Sequence, residues 1–322
     1  MLELAQHLRQ YDAAAWRKAI DLIAPAIHEV DRAATRIWFA FFPLELCEAF
    51  EKVEGDEAAA AALARRLRLM GEWRLSALVD ESHRFLYAHR YWPQVKAAIG
   101  ALESLASSLP ALITSAADAA ARTARVDRER LLGLSAVGLM TLRQAGLEAF
   151  QRSKGTVHLS EAARVRSTYQ VLHQRRRVTS QGLFGFLRGQ RSRWTIRWDE
   201  SDPTAAFEAI HGQDLASAAQ GDRRDHRSRD ARCIVNEGPI PVECRAASCG
   251  TCWVGVLEGA GNLSPIDERE EGRHLRRFGY VGAGDRQPLI RLACQARAEG
   301  DATIVLSPWN GFVASLVSTD AV

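Results

Sequence analysis

Four of the six cysteines in this chain fall into one pattern. Cys244, Cys249 and Cys252 lie within nine residues, in CRAASCGTC, and Cys294 follows in RLACQAR after forty-one intervening residues. A C-x4-C-x2-C run with a distant fourth cysteine constrains the fold more than any other feature of the 322 residues. One loop must gather three thiols, and a separate element must deliver the fourth.

Thiolates are soft, strongly donating ligands that suit iron. In a [2Fe–2S] cluster each iron takes two bridging sulfides and two cysteine thiolates, so four cysteines suffice. Ala246, Ala247, Ser248, Gly250 and Thr251 separate the close three and are small, which lets backbone N–H groups approach the sulfurs. Gly250 can adopt backbone angles that other residues avoid. Zinc also takes four cysteines, but usually as two C-x2-C pairs, and Cys294 has no near partner. A disulfide framework calls for an export signal, and MLELAQHLRQYD lacks a basic start. The pattern favours one [2Fe–2S] cluster, held by Cys244, Cys249, Cys252 and Cys294, over both alternatives.

The stretch from Trp194 to Phe312 resembles a [2Fe–2S] ferredoxin-like domain of the plant and adrenodoxin type, with the β-grasp fold. IPVECRAASCGTCWVGVLEG resembles that family's cluster loop and the strand after it. NLSPIDEREEGRHLRRFG, followed by LIRLACQAR, resembles the segment that carries a helix and then the fourth ligand. Ala247 stands where the family often has Gly, the gap before Cys294 is longer, and an extra polar stretch precedes the loop. The resemblance implies a low-potential one-electron carrier with redox partner proteins. It also implies an acidic docking face, for which Glu268, Glu270 and Glu271 are candidates.

Local patterning agrees. Arg193 to Asp199 alternates like a half-buried strand, Phe207 to His211 can return as its hairpin partner, and Gln213 to Gln220 reads as a short helix. Trp253 to Leu257 and Ala302 to Leu306 are further strands. Ser264-Pro265, followed by Asp267, Glu268 and Glu270, reads as a helix start. Residues 1–155 are rich in Ala, Leu and Arg, which favours helix. Five helices are expected: one capped by Asp12 and broken near Pro25 on its way to Pro43; one opened by Asp56 through Trp73; one from Leu75 to Pro93; one from Gln94 to Leu109; and one capped by Asp127 and reaching Phe150. The fold class is multidomain, α plus α+β: a helical bundle (1–155), an arginine-rich connector (156–192), the ferredoxin-like domain (193–314) and a tail (315–322).

The helical part shows no enzyme. It has no Glu-x-x-His pair, and His83 and His89 are six apart, which does not align them on a helix face. These histidines, like Cys47 and Cys233, read as packing residues, with metal or haem ligation the minority view. No residue is assigned a catalytic role.

The formal charge is +3, and the positive excess lies in the first 192 residues. From Glu161 to Arg193 there are eight Arg and one Glu, and Arg175, Arg176, Arg177, Arg188, Arg191 and Arg193 flank the apolar knot Leu183-Phe184-Gly185-Phe186-Leu187. This connector suits a docking surface for a partner protein, a peripheral contact at the inner membrane face, or a solvated linker; nucleic acid is disfavoured because no recognition module accompanies it. Asp222 to Arg232 reads as a solvated charged loop. The chain as a whole reads as a cytoplasmic electron-transfer protein, a non-catalytic ferredoxin-type subunit or carrier docking on an oxidoreductase complex. The alternatives are a redox-sensing iron–sulfur regulator, or a membrane-surface or scaffold protein with an electron-transfer module.

Overall fold

We describe a computed structural model of the chain over residues 1–102, 108–179, 192–280 and 288–317. It divides into two compact units. One comprises Met1–Glu48 and Arg74–Thr168; the other comprises Ala49–Trp73 and Tyr169–Val322. The second unit thus takes in a stretch of the helix-rich N-terminal sequence.

The first unit is helical. Ala13–Ile23 is capped by Asp12, whose carboxylate accepts from Ala15 N at 2.7 Å. A 3-10 turn at Ala24–Ala26 breaks the helix at Pro25, and Glu29–Phe41 follows. Glu129–Arg152 is the core of the unit: every residue from Leu131 to Arg143 is buried. Its start is not capped by Asp127, which pairs instead with Arg130. Two further expectations fail here. The stretch from Gln94 to Leu109 is not one helix: Trp92–Gly100 ends early, and a separate helix, Leu109–Ala124, begins at Ser108 with Pro110 in its first turn. Leu75 to Pro93 is not a helix either, but 3-10 turns at Leu75–Ala77 and Tyr87–Tyr91 joined by irregular chain. The cause is the buried Asp31, whose two oxygens accept the backbone N–H groups of Tyr87 (2.6 Å) and Ala88 (2.8 Å). A carboxylate that satisfies those donors removes the incentive for a helical ladder.

The second unit carries the sheets. A two-stranded ribbon pairs β1 (Met70–Gly71) with β7 (Trp309–Asn310). The larger sheet contains β2 (Arg193–Arg197), β3 (Ala206–Ile210), β4 (Trp253–Glu258), β5 (Ile290–Leu292) and β6 (Ala302–Leu306), in the order β3-β2-β6-β4-β5. It is mixed: β2 and β6 run parallel, and the other pairs are antiparallel. The register places Trp194 opposite Ala209 and Ile196 opposite Phe207, and all four are buried. Period-two alternation thus puts one face of the hairpin in the core. β4 is buried along Trp253 to Leu257, as a strand flanked on both edges should be. Leu215–Ala219 is capped by Asp214, which accepts from Ser217 N. The helix opened by Asp56 stops at Arg66 rather than Trp73, because Arg68 turns left-handed (φ 51°) and the chain enters β1. The helix expected from Ser264 begins later, at Glu271–Phe278. Ser264 is otherwise engaged: its Oγ accepts from Arg297 N and its carbonyl accepts from Arg291. Among the described residues, no helix is long and apolar enough to cross a membrane.

Candidate iron–sulfur site

The sheet register brings the distant cysteine home. β4 begins at Trp253, one residue after Cys252, and pairs antiparallel with β5, Trp253 opposite Leu292. One step beyond the ladder, Ala293 N donates to the Cys252 carbonyl at 3.0 Å. Cys294 therefore leaves β5 beside Cys252, close enough for each thiol to shift the titration of the other. Cys244 and Cys249 are likewise neighbours within the loop, and Cys249 helps to lower the Cys244 thiol. The inner pair is buried (Cys252 3%, Cys294 8% exposed), and the outer pair is half-buried. Among the described residues, no three His, Cys, Asp or Glu side chains converge on one point suited to a single ion; the four thiols approach two by two.

The loop backbone is bent so that its N–H groups face sulfur. Arg245 (φ 54°), Ala247 (φ 57°) and Gly250 (φ 73°) are all left-handed. Ala246 N donates to Cys244 Sγ at 3.4 Å and Thr251 N to Cys249 Sγ at 3.5 Å. Gln295 Nε2 reaches Cys294 Sγ at 3.5 Å. Burial alone would push the Cys244 thiol up, but hydrogen bonds from Ser248, Cys249 and the backbone N–H of Ala246 outweigh it and hold the group at about 7. Cys252 donating to Cys294, with help from Gln295 and the Ala247 N–H against burial, brings Cys294 down to about 6. The donor of that pair, Cys252, is raised. Donors aimed at sulfur favour thiolate, the form that binds iron.

Two buried devices hold this loop. Trp253 stacks on Tyr280 (3.9 Å between centroids, 11° between planes), and Tyr280 donates its hydroxyl to the Gly250 carbonyl at 3.1 Å. The ring of Phe278 closes over Gly250, where a Cβ would stand 3.0 Å from ring carbons. The second device is ionic. Arg291 in β5 forks onto Glu271 with two 2.8 Å bonds, and Glu271 also accepts from Leu292 N. Both side chains are almost wholly buried (1% and 2% exposed). This pair ties the helix Glu271–Phe278 to the strand that delivers Cys294.

Several expected surface residues are elsewhere engaged. Glu271 is no part of an acidic face, because its carboxylate is the interior partner of Arg291; Glu268 is exposed but paired with Arg276. Arg175 is buried and bidentate to Glu200 (2.7 and 2.6 Å), and Arg193 pairs with Glu208. The remainder of the connector, Leu183 to Leu187 with Arg188 and Arg191, lies outside the described residues, as do the side chains of Arg176 and Arg177.

The stretch Asp222 to Arg232 is not a merely solvated loop. It repeats one device three times: Asp222, Asp225 and Asp230 each accept both the backbone N–H and the guanidinium of the arginine two residues on. Arg232 also reaches the Ser307 carbonyl and Asn310, and Arg229 lies over Trp198. Cys233 is buried, bonded to the Pro239 carbonyl and pushed up to about 11 by burial, and Cys47 is half-buried against the Gln144 carbonyl. His83 and His89 do meet, Nδ1 to Nδ1 at 2.7 Å, because the chain between them is not helical.

The donor set fits a [2Fe–2S] group: two pairs of thiols, backbone N–H groups on the sulfurs, and a rigid aromatic backing. The comparisons agree. The 2Fe-2S iron-sulfur cluster binding domain matches residues 229–299, which contain all four cysteines. The chain is therefore an iron–sulfur protein whose cofactor is a [2Fe–2S] cluster. A plant-type ferredoxin of Pseudomonas putida is 35% identical over 99 residues, 30% of this chain and 74% of its own length. A ferredoxin of Bacillus thermotolerans is 38% identical over 61 residues, 19% of this chain and 43% of its own. With three quarters of the Pseudomonas putida protein matched at 35% identity, the chain belongs to the plant-type ferredoxin family. No solved structure matches it. The family match leaves residues 1–228 outside.

Proposed function

We propose that the chain is a dedicated ferredoxin-type carrier or subunit of an oxidoreductase, its cluster held by Cys244, Cys249, Cys252 and Cys294. The observation that carries the reading is the β4–β5 register, which brings Cys294 beside Cys252 and so joins a fourth thiol to the loop that holds Cys244 and Cys249, enough for two ligands on each of two irons. A [2Fe–2S] group supplies reversible one-electron chemistry when bound. The chain does the rest. The N–H groups of Ala246 and Thr251 stabilise charge on sulfur, burial of the inner pair excludes water, and the half-buried outer pair offers an edge for electron exchange. The strand order β3-β2-β6-β4-β5, with the first and last strands of the sheet parallel, supports a β-grasp assignment. The helical unit, packed around Glu129–Arg152, supports a bundle.

Single Cys→Ser replacements test the ligand set. Each of the four should abolish the visible absorption and the iron content, whereas Cys233→Ser and Cys47→Ser should retain both. Loss of iron in Cys233→Ser would show that the ligand set is wrong.

A further inference from the structure

The family resemblance leads one to expect an acidic docking face, yet the surface beside the cluster loop has the opposite sign. On the helix Glu271–Phe278, Arg273 and Arg277 are exposed and four residues apart, hence on one face. Arg276 lies between them and is held by Glu268. Arg277 places its guanidinium carbon 5.9 Å from the centroid of Phe312, and Arg68, from a distant part of the sequence, places its own 5.2 Å from the same ring. Phe312 stacks on Phe278 (5.2 Å, 10°), and Phe278 closes over Gly250 between Cys249 and Cys252. The aromatic centre of the patch is thus one ring removed from the cluster loop. Met70, 44% exposed, adds apolar surface two residues from Arg68.

Arginines in the last turn of a helix are commonly explained by the helix dipole. The dipole accounts for Arg276 and Arg277, and equally for Arg68 just past its own helix, but not for the convergence of Arg68 and Arg277 from two helix ends on the one ring of Phe312. Arg68 follows the helix Glu57–Arg66 in a left-handed conformation where Gly or Asn is the easier residue. The exposed acids of this region, Asp267, Glu268 and Glu270, precede the helix at its other end, and Glu268 is paired with Arg276. An apolar centre ringed by arginines is the composition of a protein-docking site, since arginine and aromatic residues dominate such interfaces.

We propose that the redox partner docks through an acidic surface onto the patch formed by Arg68, Arg273, Arg277 and Phe312. This inference rests on the electron-carrier reading. Opposite charge would steer the encounter and set the orientation, while contact at Phe312 brings the partner's redox centre close to the loop.

The test uses reduced holoprotein and two versions of one acceptor in stopped flow: a basic cytochrome c, and the same cytochrome made acidic by succinylation of its lysines. The acidic form should oxidise the protein faster at low ionic strength, with a rate that falls as salt screens the attraction. Combining Arg68→Glu, Arg273→Glu and Arg277→Glu should lower that rate about tenfold or more and remove most of its salt dependence, with iron content and visible spectrum unchanged. A control triple of equal charge change in the helical unit, Arg36→Glu, Arg122→Glu and Arg152→Glu, should have a much smaller effect. If the patch triple does not fold, the single Arg→Gln variants should each lower the rate, by about twofold or more. Equal effects of patch and control substitutions, or a preference for the basic cytochrome, would overturn the proposal. A holoprotein that cannot cycle by one electron would remove the carrier reading as well; one that cycles without responding to the patch removes the docking proposal alone.

Discussion

Each unit of this protein brings together side chains of the kind that bind metals, two histidines in one and four cysteines in the other, and their surroundings differ. In the helical unit His83 donates through Nε2 to the Val79 carbonyl (3.2 Å), so its Nδ1 is free to accept from Nδ1 of His89. Both rings are fully buried, with Trp92 packed on His83. The facing nitrogens satisfy each other. In the second unit the thiol pairs lie on a loop whose backbone N–H groups aim at sulfur, with one pair reaching the surface. Residue type alone does not make a site. What distinguishes the two is the field of donors around the ligand atoms and the access left to them.

The largest effects should separate the two groups. Cys294→Ser should remove the cluster, whereas His89→Gln should leave the visible spectrum of the holoprotein intact; a bleached His89→Gln protein would break the comparison. Next in size is the anchor of the thiol loop. Arg291→Met leaves the Glu271 carboxylate buried without its partner and should cost about 3–5 kcal/mol of stability, seen as a lowered unfolding midpoint. A loss of less than about 1 kcal/mol would mean that the pair is not structural.

The histidine pair gives a pH signature of its own. Burial first, and for His83 the neighbouring His89, hold both rings below 6.5, with His89 down to about 3. The unfolded chain takes up protons below 6.5 that the folded chain refuses. Stability should therefore be level above pH 6.5 and fall as the pH drops toward 5, by up to about 1.4 kcal/mol per pH unit for each ring. Denaturant unfolding of wild type and of the His83→Gln, His89→Gln double variant at pH 7 and pH 5 measures this. Equal slopes in the two proteins would contradict it.

The smallest effects sharpen the view of the loop. Gly250→Ala forces a Cβ against Phe278 at a left-handed φ and should cost about 1–3 kcal/mol with reduced iron loading. Ala247→Gly, at φ 57°, relieves a conformation that alanine dislikes and should be neutral or stabilising by about 1 kcal/mol or less, with an unchanged spectrum. Thermal melts of the two holoproteins decide the sign.

What could be read from the sequence follows the same division. The four cysteines, the strands Arg193–Arg197 and Ala302–Leu306, and the cap at Asp12 depend on neighbours in the chain, and they could be placed without a structure. The failures are long-range. Nothing near Tyr87 says that Asp31, fifty-six residues away, will take its N–H and unmake a helix. Glu271 looks like a surface acid until Arg291 arrives from β5. Ser264 looks like a helix cap until Arg297 occupies its hydroxyl. The two-residue strand Met70–Gly71 carries no periodicity to read, and its pairing with Trp309–Asn310 is visible only in the folded chain. The Asp-x-Arg repeats from Asp222 to Arg232 were on view as a spacing, and their local bonds explain why a charged stretch is ordered.

The most direct test is the metal and sulfide content of the purified protein, with EPR of its reduced form. The account predicts two irons and two acid-labile sulfides per chain, as the 2Fe-2S assignment requires, and an S = 1/2 signal on one-electron reduction. One zinc per chain without labile sulfide would contradict it.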